Sequence, residues 1–169
     1  MTKTTKKQAR KKREAGAGRA ASAGGQSEFV TIVIADQLFG IPVLTVQDVL
    51  GPQRITRIPL APPEVAGALN LRGRIVTVID VRRRLGLPPR EAEAGSMNVV
   101  VEYGGELYSL VIDQVGEVLS LPPEDFERNP ATLSVRWREV SAGIYRLKDQ
   151  LMIVLDVERL LQFRRAEAA

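Results

Sequence analysis

The sequence predicts an all-β fold with short helices: two similar small barrels packed on each other with a groove between them. Three observations carry this expectation. From Glu28 onward the chain is dense in Val, Ile and Leu, in short runs broken by Gly and Pro, which is the spacing of many short strands. The chain also repeats itself, with a shift of 69 residues in the first part of each copy and 76 in the second. Each copy is only about 70 residues long and would be marginal alone, so the two must bury surface against each other.

The elements follow in order. Phe29–Ile34 is an apolar strand, Asp36-Gln37 a turn, and Leu38–Leu44 the returning strand. The same unit recurs as a strand Asn98–Tyr103, a tight turn at Gly104-Gly105, and a strand Leu107–Ile112. The 69-residue shift places Leu38 on Leu107, Val46 on Val115, Asp48 on Glu117 and Val49 on Val118. Pro62-Pro63-Glu64 and Pro122-Pro123-Glu124 read as helix starts, with proline in the first turn and an acid at the positive end. A short helix is expected over Glu64–Leu69, then a turn at Arg72-Gly73 and a strand over Arg74–Ile79. The 76-residue shift lays Ala66-Gly67 on Ala142-Gly143 and Ile75–Val81 on Leu151–Val157. Each copy therefore ends in a strand, an Asp, and a short amphipathic helix. The seven extra residues of the second copy lie in its middle.

Composition narrows the chemistry. The chain has no Cys and no His. That excludes thiol nucleophiles, thiolate zinc sites and a Ser-His-Asp triad, and leaves no cofactor or metal suggested. The net charge of +4 is unevenly distributed. Residues 1–27 carry eight basic side chains and one acid, net +7; the other 142 residues carry 16 basic and 19 acidic groups, net −3. The tail contains no aromatic, Leu or Ile, so it is expected to be disordered. No run has the roughly 18 apolar residues of a membrane span, and no apolar region follows the first charges as in a secretory signal. A cytoplasmic protein without membrane insertion is expected.

Asp80 and Asp156 resemble a catalytic pair only superficially. Each stands where a strand gives way to a helix, where Asp serves as an N-cap. Arg72 is different. Held beside Gly73 on a tight turn, its guanidinium is pre-aimed for recognition, although a solvated turn arginine is the plainer reading. Its counterpart is Lys148. The arginines of the first half, Arg82-Arg83-Arg84 among them, read as a solvated helix face. A basic-faced barrel binding nucleic acid is the alternative, and the lack of interleaved aromatics counts against it.

Several segments together resemble a known family. Phe39-Gly40-Ile41, Val46-Gln47-Asp48-Val49-Leu50, Ile55-Thr56-Arg57-Ile58-Pro59, Gly67-Ala68-Leu69-Asn70-Leu71-Arg72-Gly73 and Val78-Ile79-Asp80-Val81-Arg82 are similar to the chemotaxis coupling protein CheW family. Val111-Ile112-Asp113-Gln114-Val115, Glu117-Val118-Leu119 and Gly143-Ile144-Tyr145 agree. The resemblance implies two five-stranded SH3-like β-barrels in a domain over residues 28–163. The first barrel would span about 36–94. The second would span about 95–155 and add the N-terminal strand and C-terminal helix, with residues 164–169 disordered.

The resemblance further implies a non-enzymatic adaptor joining the histidine kinase CheA, through its regulatory domain, to the cytoplasmic tip of methyl-accepting chemoreceptors. Contacts between copies of the adaptor in rings and a non-flagellar output are further possibilities of the same family. It implies an ion pair between Asp48 and Arg72, with Gly73, near the receptor and kinase contacts. It implies a receptor groove lined by Val46, Val99 and Val118. Thr77 stands where the family usually has proline, and Asp48 where Glu is common.

Overall fold

The computed structural model describes residues 25–91 and 94–162. Most of the basic tail and the residues from 163 onward, the ends expected to be disordered, lie outside the described residues. Ser27, expected in the tail, already pairs with Leu121 as the first residue of a strand.

Eleven strands among the described residues form two sheets. The first copy supplies β1 (Ser27–Ile34), β2 (Gln37–Pro42), β3 (Val46–Leu50), β4 (Val65–Leu71) and β5 (Arg74–Asp80), followed by helix α1 (Val81–Arg84). The second supplies β6 (Met97–Tyr103), β7 (Glu106–Ile112), β8 (Gln114–Leu121), β9 (Phe126–Glu127), helix α2 (Val135–Val140), β10 (Ser141–Arg146), β11 (Leu151–Leu155) and helix α3 (Val157–Leu160).

The sheets do not follow the copies. The five-stranded sheet runs β3-β6-β7-β5-β4 and the six-stranded sheet β8-β1-β2-β11-β10-β9. Each copy thus lends its first hairpin to the other's sheet. The exchange is register-perfect: Val49 pairs with Val99 as Val118 pairs with Val30. Likewise Thr77 faces Tyr108 in a parallel pair, as Ile153 faces Phe39. The expected division near residue 94 therefore differs from the observed one. One sheet takes residues 46–112, and the other takes 27–42 with 114–155. Because equivalent hairpins present equivalent edges, either partner satisfies the same hydrogen bonds, and the exchange adds inter-copy burial.

Three apolar clusters result among the described residues. Leu69, Val76, Val78 and Val111 fill the five-stranded barrel, and Phe29, Tyr145, Met152 and Val154 fill the six-stranded one. A larger cluster, with Ile32, Phe39, Ile79, Val99, Leu110, Ile144, Ile153 and Leu160, is shared between the sheets. At roughly 1.5–3 kcal/mol for each large apolar side chain removed from water, this shared layer dominates the cohesion of the molecule.

Some elements depart from expectation. The returning strand ends at Pro42, and Val43–Thr45 form a 3-10 turn. The expected helix over Glu64–Leu69 is strand β4, paired antiparallel with β5. Gly67, at φ +150°, makes the register shift of a bulge, and a Cβ there would strike the Thr56 carbonyl. Gly143 does the same in β10, at φ +155° against the Glu127 carbonyl. Tertiary pairing across this bulge overrides the helix propensity of the alanines. Pro62 therefore precedes a strand, and its carbonyl accepts the Val65 amide in a turn. Pro123–Asp125 is a 3-10 turn with proline in its first turn, closer to expectation.

Arg82 and Arg84 are not a solvated face. Arg82 donates to Asp113, and Arg84 Nε donates to the Leu160 carbonyl across the pseudo-equivalent helices α1 and α3 at 2.8 Å.

Candidate functional site

In the five-stranded sheet, β3 and β4 stand at opposite ends of the strand order. The sheet curls until these edges approach: Thr56, past the end of β3, forms an isolated bridge with Ala68 of β4. At this closure the Asp48 and Arg72 side chains meet. Arg72 Nη2 donates to Asp48 Oδ2 at 3.1 Å, across 24 residues of sequence.

Local geometry positions both partners. Asp48 follows a register shift between Val46 and Asp48, and its Oδ1 accepts the Val49 amide at 2.9 Å. The carboxylate is thereby held by its own backbone while Oδ2 faces the arginine. Arg72 and Gly73 are the two central residues of the β4–β5 turn, with φ +52° and +83°. This turn type matches the strand twist and requires positive φ at both positions. The strain at Arg72 is shared with a side-chain hydrogen bond, as Asn70 Oδ1 accepts the Gly73 amide at 2.9 Å. The result is an arginine side chain 78% exposed yet fixed at its base, against an Asp 27% exposed. Such a pair contributes at most about 1 kcal/mol to stability. It leaves most of the guanidinium's donors facing outward for a carboxylate or carbonyl partner.

A buried polar pair supports the same strand. Asn98 Nδ2 donates to the Gly51 carbonyl just beyond β3 at 3.0 Å, and Ser109 Oγ donates to Asn98 Oδ1 at 2.9 Å. In the duplicated barrel these places hold Phe29 and Gly40. The polar pin therefore belongs to the barrel that carries the Asp48–Arg72 pair.

The apolar candidates separate. Val46 begins β3, two residues before Asp48, and is half-buried against the shared core. Val118 lies on β8 in the other sheet and is 55% exposed. Its pseudo-equivalent Val49 is also exposed, whereas Val99 is fully buried. Val99 therefore cannot line a surface groove in this structure, contrary to expectation. It sits on β6, an interior strand flanked by β3 and β7 and buried through Asn98–Val101; a strand covered on both faces has no outward side chain to offer.

The counterparts Glu117 and Lys148 do not reproduce the ion pair among the described residues. At the matching closure of the second barrel Arg146 Nε instead donates to both Glu127 carboxylate oxygens, at 2.9 and 3.0 Å.

Two open clefts flank the helix caps. The larger, about 570 Å³, lies between the Arg57–Pro63 segment, Asp80 and Arg83. The smaller, about 370 Å³, lies between the sheets, with Glu102 and Tyr103 of β6 on one side and Val154 and Leu155 of β11 on the other. The expected groove at the junction thus has a counterpart in this second cleft. Leu60, at φ +60°, projects wholly into solvent beside the first.

The tightest charged cluster carries no local sequence signature. Asp113 accepts from Arg82 at 2.6 and 2.9 Å, from Arg90 at 3.0 Å and from the Ala35 amide at 2.8 Å. Burial would push its carboxyl up. The donated hydrogen bonds, led by Arg82, win and hold it at about 2. Their sequence separations of 31, 23 and 78 residues explain why no local motif marks the cluster. A carboxylate so fully engaged is unavailable as a general acid or base at neutral pH.

Residues 28–165 match the family model of the CheW-like domain. The chain is similar to "Chemotaxis protein CheW" of Klebsiella aerogenes, 31% identical over 134 residues, covering 79% of this chain and 81% of the relative. It is similar to the Helicobacter pylori protein of the same name, 30% identical over 149 residues, covering 84% and 90%. Among solved structures it resembles the scaffolding protein TtCheW from Thermoanaerobacter tengcongensis, with a TM-score of 0.71 at 29% identity over 77% of this chain and 88% of the other.

Proposed function

This chain belongs to the CheW-like domain family, whose members are non-enzymatic chemotaxis scaffolds, and from that premise we propose that it couples methyl-accepting chemoreceptors to the histidine kinase CheA. The observation that carries this reading is the Asp48–Arg72 pair, an aimed and exposed arginine at the closure of one barrel. Its small contribution to stability leaves recognition as the role that fits it. Asp48, Arg72 and Gly73 form the polar part of the contact surface, and Val46 and Val118 contribute apolar parts. An exposed valine on an edge strand suits the apolar face of a receptor helix, where burial supplies affinity.

The kinase's regulatory domain is the second partner, and copies of this chain meeting in rings are a third contact of the same kind. The expected location is the cytoplasmic side of the receptor array. Among the described residues no helix is long and apolar enough to cross a membrane. The test is capture of purified kinase regulatory domain and of a receptor tip fragment by the immobilised full-length chain. Specific retention of both is expected; retention of neither at tens of micromolar would overturn the proposal.

A further inference from the structure

We infer that Asp113 is a positioning residue: with Arg82, Arg90 and the Ala35 amide it latches the two sheets together and sets where β8, and Val118 on it, stands relative to the first barrel. The inference deepens the proposed function, since Val118 is there assigned to the receptor contact.

Asp113 is the one residue between β7, in the five-stranded sheet, and β8, in the six-stranded sheet. It occupies a point where the chain passes from one sheet to the other. Its carboxylate bonds in both directions. Oδ2 accepts the Ala35 amide, in the β1–β2 turn of the six-stranded sheet. The same oxygen and Oδ1 accept Arg82, on the helix that follows β5 of the five-stranded sheet. Oδ1 also accepts Arg90, in the segment leading to β6. The Asp113 amide in turn donates to the Val33 carbonyl at 3.2 Å.

The shared apolar core also joins the sheets, but apolar attraction is non-directional and tolerates sliding. Charge-assisted, forked hydrogen bonds fix orientation as well as distance. All three charged side chains are only 16–18% exposed, so water competes weakly for them. Among the described residues the duplication supplies no second latch. The position matching Asp113 is Leu44, which is 85% exposed, and the position matching Arg82 is Glu158. One side of the junction is therefore pinned by charge, and the shape of that junction depends on this carboxylate.

The chain has no cysteine, so paired spin labels at Glu106→Cys and Lys148→Cys report the distance between the sheets without interference. In the full-length protein, Asp113→Asn should keep the strand-rich circular dichroism spectrum while broadening or shifting that distance distribution. In unlabelled protein the same change should weaken receptor-fragment binding by tenfold or more, roughly 1.4 kcal/mol, and leave kinase-domain binding within about threefold. An unchanged distance distribution in a folded Asp113→Asn protein would overturn the latch, since a merely stabilising residue lowers the melting temperature without moving the sheets. Should Asp113→Asn fail to fold, Arg90→Gln removes one donor and is read by the same distance, with the same outcome overturning the inference. The distance needs no partner, so it decides the latch even if the wild-type chain binds no receptor and the proposed function fails.

Discussion

Asp80 and Asp156 occupy the same place in the two copies: each caps the helix that follows a strand, and each Oδ1 accepts the amide three residues on, Arg83 at 3.2 Å and Arg159 at 3.1 Å. Asp80→Ala and Asp156→Ala should each cost about 1 kcal/mol of stability, the usual effect of removing an N-cap. Urea unfolding checks this. A variant of unchanged stability that loses partner binding would instead mark its carboxylate as part of a contact surface.

The Asp113 cluster makes a prediction about acid. Its carboxyl is held at about 2, below the ordinary 3.8, so the folded state binds the proton less readily than the unfolded one. The stabilisation is complete above about pH 4 and is lost as pH falls through 2. After allowance for the solvent that reaches the site, it is on the order of 1 kcal/mol. Urea midpoints of the parent should decline more steeply between pH 4 and about 2 than those of Asp113→Asn. Parallel declines would contradict the assignment.

The hairpin exchange predicts that neither copy folds alone. A fragment of residues 28–94 lacks β6 and β7, which separate β3 from β5 in its sheet. It should give an unfolded circular dichroism spectrum, as should a fragment of residues 95–162, and mixing the two should restore strand signal. The intact chain should unfold in one transition, because the largest apolar cluster belongs to both sheets.

Val99 and Val118 should respond oppositely to the same change. Val99→Lys buries a charge without a partner and should abolish folding. Val118→Lys, on an exposed site, should leave the melting temperature within a few degrees and weaken receptor-fragment binding. Soluble expression and thermal melts separate the two effects from a binding assay.

Much of this was legible because the chain repeats. The 69- and 76-residue shifts that align Val49 with Val118 and Thr77 with Ile153 are the shifts that relate the two sheets' registers. The N-caps, the Gly73 turn and the meeting of Asp48 with Arg72 could be anticipated from local chemistry and family likeness. The family likeness already places the N-terminal strand with the second barrel; the move of β2 with it, and of β6 and β7 in return, could not be anticipated, because equivalent hairpins carry the same pattern whichever sheet receives them. β4 reads as a helix in the sequence because its small residues suit either state, and only its pairing with β5 across the Gly67 bulge decides. Val99 enters the groove only through family likeness, which carries no information on which faces of β6 are covered. Arg82 reads as solvated in the sequence because its partner lies 31 residues away.

A recognition role for Arg72, as opposed to a stabilising one, is tested by kinase activation with Arg72→Glu in a reconstituted receptor–kinase assay, with thermal stability measured on the same protein. Reversal of this exposed charge removes the 3.1 Å pair with Asp48 and presents two acids where an aimed guanidinium stood. The melting temperature should fall by no more than the loss of about 1 kcal/mol allows, while receptor-dependent kinase activation is abolished. Activation equal to that of the parent protein would show that Arg72 is not a recognition residue.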